Sequence, residues 1–262
     1  MKALTLIKNA VGGILYPEGL TCAVCDNELE QSSRYGLCPD CSVPFISHCC
    51  KRCGTVLYGG REYCDRCVKD GGKYSFVQAR APFPYDRESV HRMVWNLKYG
   101  KLPYYAKLMG EPMAELLSSL VWKIDAMTYV PLHPKKERQR TYNQSELLAN
   151  RISEISGIPV ISTLKKTVYS KSSATSLGKE DREKLLKDTF ENVSDVSGKR
   201  LLLIDDVFTT GATSDECAKT LKNAKAKEVY VLTYATSRGD KPSTYTPDDK
   251  AYAGRLRRMR SL

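Results

Sequence analysis

The sequence predicts an α/β protein: a parallel sheet flanked by helices, preceded by a small module built on clusters of four cysteines. Three observations predict it. One is the strand–loop–helix–strand string from Arg200 to Ala235, the second is the alternation of helical and strand periods upstream of it, and the third is the set of four Cys-x-x-Cys pairs between Cys22 and Cys67. Strands that alternate with helices form a parallel sheet covered on both faces. The 262 residues suffice for one sizeable core and a smaller module. Forty-one Lys and Arg against 30 Asp and Glu give a net charge of +11, which favours polyanionic partners such as nucleic acid, phosphorylated metabolites or an anionic membrane.

At the N-terminus, MKALTLIKNAVGGILYPEG has Lys8 inside its apolar stretch and no clean cleavage pattern, which argues against a secretory leader. Leu4, Ile7, Val11, Ile14 and Leu15 recur at helical spacing and predict an amphipathic helix over residues 1–20. The sequence has no apolar run of about 18 residues and so no spanning helix. The expected location is the cytoplasm.

Nine of the ten cysteines lie between 22 and 67, within a module placed at 21–70. Cys22-x2-Cys25 with Cys38-x2-Cys41, and Cys50-x2-Cys53 with Cys64-x2-Cys67, have the spacing of two zinc ribbons in tandem. Two thiolates three positions apart share one tight turn, and a second turn completes a tetrahedral site; Gly54 suits such a knuckle. A module of about 50 residues with few large apolar side chains lacks core, and structural Zn²⁺ can add on the order of 10 kcal/mol to folding. Four thiolates leave no open position, so the ions are expected to be structural. His48 and Cys49 are spare and either could replace Cys50, while cross-braced pairing stays open on spacing alone. A disulfide framework would need an oxidising compartment. Cys217 reads as a small apolar side chain in a buried helix.

KDGGKYS, Lys69 to Ser75, marks the break before a second domain at 74–236. SFVQARAPFPYD reads as a strand pair or bent strand. In the helix SVHRMVWNLKYG, Val90, Met93, Val94 and Leu97 turn inward, and Trp95 and the methionines read as packing. A helix over about 104–120 follows, then the strand AMTYVPL, a basic loop HPKKERQRT, the helix YNQSELLANRISEIS ended by Gly157, and the strand IPVISTL. Lys165 to Lys184 is polar and cationic without apolar period, a long loop. The tail 237–262 is rich in Pro, Asp, Ser and Arg and has a disordered composition.

The string LLLIDDVFTTGATSDE then carries the chemistry. In open α/β sheets ligands sit beyond the carboxyl ends of strands, where Asp205 and Asp206 fall. Ionised carboxylates only accept hydrogen bonds, so the pair suits vicinal hydroxyls, as on a ribose, or hydrated Mg²⁺. Thr209, Thr210, Gly211, Ala212 and Thr213 can wrap a phosphate with amides and hydroxyls at the positive end of the following helix. Together they describe a ribose 5-phosphate cradle. The bland alternative is a buried strand, a turn and an N-capped helix.

The apolar run, acid pair and TTGAT loop resemble the phosphoribosyl pyrophosphate (PRPP) signature of type I phosphoribosyltransferases. VPLHPKKERQRTYNQSELLA and FPYDRESVHRMVWNLKYG resemble segments of the ComF family, which joins that domain to an N-terminal zinc ribbon. With the cysteines, the resemblance spans Tyr16 to Ala235. It implies a type I phosphoribosyltransferase-like fold, with Asp205 and Asp206 on the ribose hydroxyls and Thr209 through Thr213 on the 5-phosphate. His133, Lys135, Lys136, Arg138 and Arg140 would face the pyrophosphate, and Mg²⁺ would bridge pyrophosphate and ribose oxygens.

Two functions are implied by the resemblance. One is a PRPP-binding competence protein that binds single-stranded DNA during uptake, with a DNA-translocation ATPase as partner of the ribbons at the inner face of the membrane. The other is a Mg-dependent phosphoribosyltransferase with an unidentified acceptor. Basic segments at 135–140, 165–187 and 255–260, with Tyr142 and Tyr169, could track phosphates and stack bases. Thr141, Ala174 and Leu185 depart from the glycine, glutamine and asparagine usual in the family.

Overall fold

Four consecutive aliphatic side chains, Leu201 to Ile204, leave a strand no polar face, so it has to be covered on both sides. The computed structural model of the chain, which describes residues 21–31, 33–69, 74–168 and 189–237, shows how. The described elements begin with α1 (Asp65–Lys69), β1 (Ala79–Arg80), β2 (Phe83–Pro84), α2 (Glu88–Tyr99), α3 (Tyr105–Ser119) and β3 (Ala126–Tyr129). They continue with α4 (Pro134–Arg140), α5 (Gln144–Ser156), β4 (Leu164–Lys166), β5 (Phe190–Asn192), β6 (Arg200–Phe208), α6 (Ala212–Asn223) and β7 (Glu228–Thr236).

The main sheet has five strands, all parallel: β3, β6 and β7 lie side by side, and β1 and β2 share the outer edge of β7. The expected bent strand is thus two short strands in line, with Pro82, which has no N–H to give a ladder, at the break. Side chains alternate along β6: Leu202 and Ile204 meet α2, α3 and α5 through Met93, Leu97, Met109, Leu148 and Ile152. Leu201 and Leu203 meet α6 through Cys217, Ala218 and Leu221 on the other face. Cys217 is the buried small side chain expected of it.

Several local expectations change. HPKKERQRT forms the helix α4 and no loop, because His133 caps its start by accepting from the Lys135 amide, Pro134 opens it, and Thr141 closes it in the left-handed region at φ +74°. IPVISTL yields only a bridge at Val160 to Met127, and pairing resumes at β4, which is antiparallel to β5. Trp95 is 43% exposed beside Tyr99, with ring centroids 6.2 Å apart, so it is not core packing, whereas Met93, Met109, Met113 and Met127 are fully buried. The strand at the acid pair runs on to Phe208, beyond the expected end at Asp206. The N-terminal helix, most of the 165–184 loop with Tyr169, Ala174 and Leu185, and the tail after Ser237 lie outside the described residues.

Each cysteine cluster joins a different layer. Cys22 and Cys38 pack into the core beneath α2 and α3, where Tyr105 Oη donates to the Ala23 carbonyl at 2.6 Å. Cys50, Cys53, Cys64 and Cys67 pack with Phe76, Ala79 and Phe208 on the α6 side. No helix among the described residues is long and apolar enough to cross a membrane.

Candidate functional site

Register places the site. Tyr129 pairs with Ile204 in parallel, so the chain leaving β3 toward His133 and the chain leaving β6 toward Gly211 emerge at the same edge of the sheet. Residue types chosen for opposite reasons meet there: carboxylates on one strand end and a cationic helix on the next.

Asp205 and Asp206 are consecutive in a strand, so they belong to opposite faces of the sheet. Both are buried, at 9% and 3% exposure. Asp205 Oδ1 accepts from Ser145 Oγ and from the Asp206 amide, both at 2.9 Å. Asp206 Oδ2 lies 2.9 Å from Lys98 Nζ, an ion pair whose alignment falls short of a hydrogen bond. Burial, then the neighbouring Asp206 charge, pushes the Asp205 carboxyl up to about 7, against the pull of Lys98, the Asp206 amide and the Ser145 hydroxyl. For Lys98, burial opposes the charge, but the attraction of Asp206 and Asp205 outweighs it and holds the ammonium above its ordinary value.

Ser145 reaches Asp205 because α5 starts there: Asn143 caps the helix by accepting from the Ser145 amide and ties back to the Val130 carbonyl at 3.1 Å. Lys98, Asn143 and Ser145 escaped sequence reasoning. The only available signal was the cap pattern Asn143-Gln144-Ser145; nothing local marks Lys98, whose partner is far along the chain.

The loop after β6 is open to a ligand. Gly211 sits at φ +82° as the cap of α6, and a Cβ there would lie 2.5 Å from the Phe208 ring, so only glycine fits. Ala212 N–H is held by Thr210 Oγ1 at 3.3 Å, while the amides of Thr210, Gly211 and Thr213 find no protein acceptor among the described residues. Unpartnered amides beside a helix N-terminus form an anion nest. Thr209 is exposed, and Thr210, Ala212 and Thr213 are partly so.

Of the cationic candidates on α4, Lys136 is half-buried beside Arg140, Lys166 and Lys98. Burial first, then the charges of Arg140, Lys166 and Lys98, hold its ammonium below the ordinary value. Arg140 is engaged elsewhere, donating to Gln144 Oε1 at 2.9 Å and lying 5.1 Å above the Tyr99 ring. Lys135 and Arg138 are exposed, and His133 serves as the cap of α4. Tyr142 Oη donates to the Leu97 carbonyl at 2.7 Å.

The eight cysteines assemble as two sequential sets, Cys22, Cys25, Cys38, Cys41 and Cys50, Cys53, Cys64, Cys67, each with its sulfurs within 4.8 Å of one another. Cross-bracing is thereby excluded, and Cys50, not Cys49, belongs to the second set. Tetrahedral Zn–S bonds separate sulfurs by about 3.8 Å. Cys25 to Cys38 and Cys53 to Cys64 are both 3.6 Å apart, and none of the cysteines is in a disulfide. The donor sets therefore fit a tetrahedral ion. Gly54 turns the second knuckle at φ +69°, as its position after Cys53 leads one to expect.

Comparison with known proteins agrees with this architecture. Residues 143–257 match the family model described as phosphoribosyl transferase domain. Competence protein F of Haemophilus influenzae is 25% identical over 80% of this chain and 94% of its own length. DNA utilization protein YhgH of Salmonella typhimurium is 26% identical over 80% of this chain and 87% of its own. Competence protein ComFC of Streptococcus pneumoniae is 26% identical over 79% and 84%. These relatives align with about four fifths of this chain, which is similar in this way to proteins of the ComF family.

Proposed function

We propose that this chain is a PRPP-binding, phosphoribosyltransferase-like protein of DNA uptake that handles single-stranded DNA. The observation that carries the reading is the pairing, at one sheet edge, of a buried carboxylate with a loop whose Thr210, Gly211 and Thr213 amides lack protein acceptors among the described residues. Acceptors beside donors match a sugar with a phosphate. Oδ1 of Asp205 is occupied, and no protein donor reaches Oδ2 among the described residues, leaving that oxygen for a ribose hydroxyl. Lys136 and its neighbours on α4 supply positive charge to the pyrophosphate. Mg²⁺ suits this set because it binds through one or two carboxylates and the substrate's own phosphates. Zinc is the ion best suited to the all-thiolate clusters, where it would be structural.

The DNA role is supported by relatives named for competence and DNA utilization, and by the net charge of +11. An ATPase bound through the ribbons is part of the same proposal. Calorimetry with PRPP and Mg²⁺ tests the cradle: Asp205→Asn with Asp206→Asn should abolish binding with two zinc ions retained. Undiminished binding by that variant refutes the cradle. Binding to single-stranded DNA must weaken steeply with salt, and a flat response removes the DNA reading.

A further inference from the structure

The second cysteine cluster reaches the anion loop directly. Arg66 stands between Cys64 and Cys67 on α1, partly buried, and its Nη1 donates to the Thr210 carbonyl at 3.0 Å. Tyr74 Oη donates to the same carbonyl at 3.1 Å. A trans peptide directs its C=O and the next N–H to opposite sides. Arg66 of the module and Tyr74, which follows it, therefore turn the Gly211 amide away from themselves, and that amide is one of those without a protein acceptor among the described residues.

The module is itself fixed to the sheet edge. Arg52 Nη2 donates to the Tyr74 carbonyl at 2.9 Å, and the Arg52 carbonyl accepts from the Ala79 amide at 2.8 Å. At Gly54 the backbones approach so closely that a Cβ would lie 2.4 Å from the Ala79 oxygen. Tyr74 stacks on Phe76 at 4.5 Å between ring centroids, and Phe76 meets Phe208 edge-on at 6.0 Å. From the thiolate knuckle to the loop, every link is a short hydrogen bond or a packed ring.

We infer that Arg66 is a positioning residue for the anion loop, and that metal loading of the Cys50, Cys53, Cys64 and Cys67 cluster sets the loop's affinity for a phosphorylated ligand. The affinity part rests on the cradle reading given above. A five-residue helix does not persist in water by itself, so α1 needs its two thiolate tethers to present Arg66. Without them the Thr210 carbonyl is released, and its oxygen can turn toward the phosphate it now faces away from.

The test uses the full chain with both clusters loaded with zinc. Two quantities are read: PRPP affinity by calorimetry with Mg²⁺, and hydrogen exchange of the Gly211 amide by NMR, which needs no ligand. Arg66→Ala should weaken PRPP binding about tenfold and speed Gly211 exchange with zinc content unchanged, and Arg66→Lys should recover part of both. Cys64→Ser should behave like Arg66→Ala, whereas Cys25→Ser, in the other cluster, should leave PRPP affinity intact. Wild-type affinity and wild-type exchange in Arg66→Ala overturn the inference, and equal effects of the two cysteine variants overturn the metal coupling. If the unaltered protein fails to bind PRPP, the cradle falls, and Gly211 exchange in Arg66→Ala alone decides whether Arg66 positions the loop. Should Arg66→Ala lose zinc, Tyr74→Phe decides: it removes the second donor outside the knuckle, and unchanged Gly211 exchange there overturns the inference.

Discussion

Replacing Lys98 with methionine tests the electrostatics of the sheet edge. The substitution keeps the length of the side chain and removes the ammonium 2.9 Å from Asp206 Oδ2. The Asp206 side chain is 5% exposed and that of Lys98 21%, so the pair is screened little by water. Breaking a buried ion pair from one side costs about 3–5 kcal/mol because the remaining charge is left uncompensated. The partial exposure of Lys98 places this pair at the lower end, about 3 kcal/mol. For a chain of this size that corresponds to a fall in Tm of roughly 6–12 °C.

The assay is thermal unfolding of zinc-loaded protein at pH 7.5, in a cycle of Lys98→Met, Asp206→Asn and the double variant. Because Asp206→Asn removes the stranded charge, the double variant should recover about 2 kcal/mol relative to Lys98→Met. Equal melting of single and double variants at pH 7.5 would refute the argument, because the Asp206 carboxylate would then not depend on Lys98.

Further outcomes follow from the same site and its flanks. Asp205 has a folded-state value of about 7, above its unfolded value, so the folded state holds the extra proton between about pH 4 and 7. Stability contributed by this group is present below about pH 4 and is lost as pH rises to about 7, while PRPP binding, which needs the ionised acceptor, should tighten as pH passes through about 7. Ser145→Ala removes a donor to the ionised form and should move that binding midpoint up by about one unit, and a midpoint unmoved in a calorimetric pH series would sever Ser145 from Asp205. Thr141 sits at φ +74°, where a β-branched residue is strained, so Thr141→Gly should raise stability by about 1 kcal/mol in urea unfolding, and a loss would show that the Thr141 side chain contributes more than the strain costs.

What the sequence showed depended on whether the signal was local. The β6 run, the glycine at the start of α6 and the paired cysteine knuckles are each written within a few residues, and each appears in the structure where spacing put it. The helix α4 was hidden because it buries no residue and so has no apolar period to read. Its surviving marks, Pro134 and the His133 cap, are weaker than the turn-like composition around them. The DD pair read as two side-by-side acceptors, but strand alternation separates the two side chains and gives each its own partner, Ser145 or Lys98. Both partners lie on helices brought in by tertiary packing, and no window around Asp205 contains them.

The same alternation explains why the acids are costly where they stand. A strand buried on both faces would be more stable with apolar side chains at both positions, since replacing buried charges by well-packed hydrophobic groups is often neutral or stabilising by about 1–4 kcal/mol. Here two carboxylates at 9% and 3% exposure take up a serine hydroxyl, a backbone amide and a lysine that could have packed elsewhere. Asp205 is nevertheless left with a raised carboxyl and an oxygen that no described donor reaches. Packing alone gives no reason for that oxygen. On the proposed reading, a ligand bearing hydroxyl donors would, and the loop that follows at the same edge, whose amides lack acceptors among the described residues, would face the negatively charged part of such a ligand.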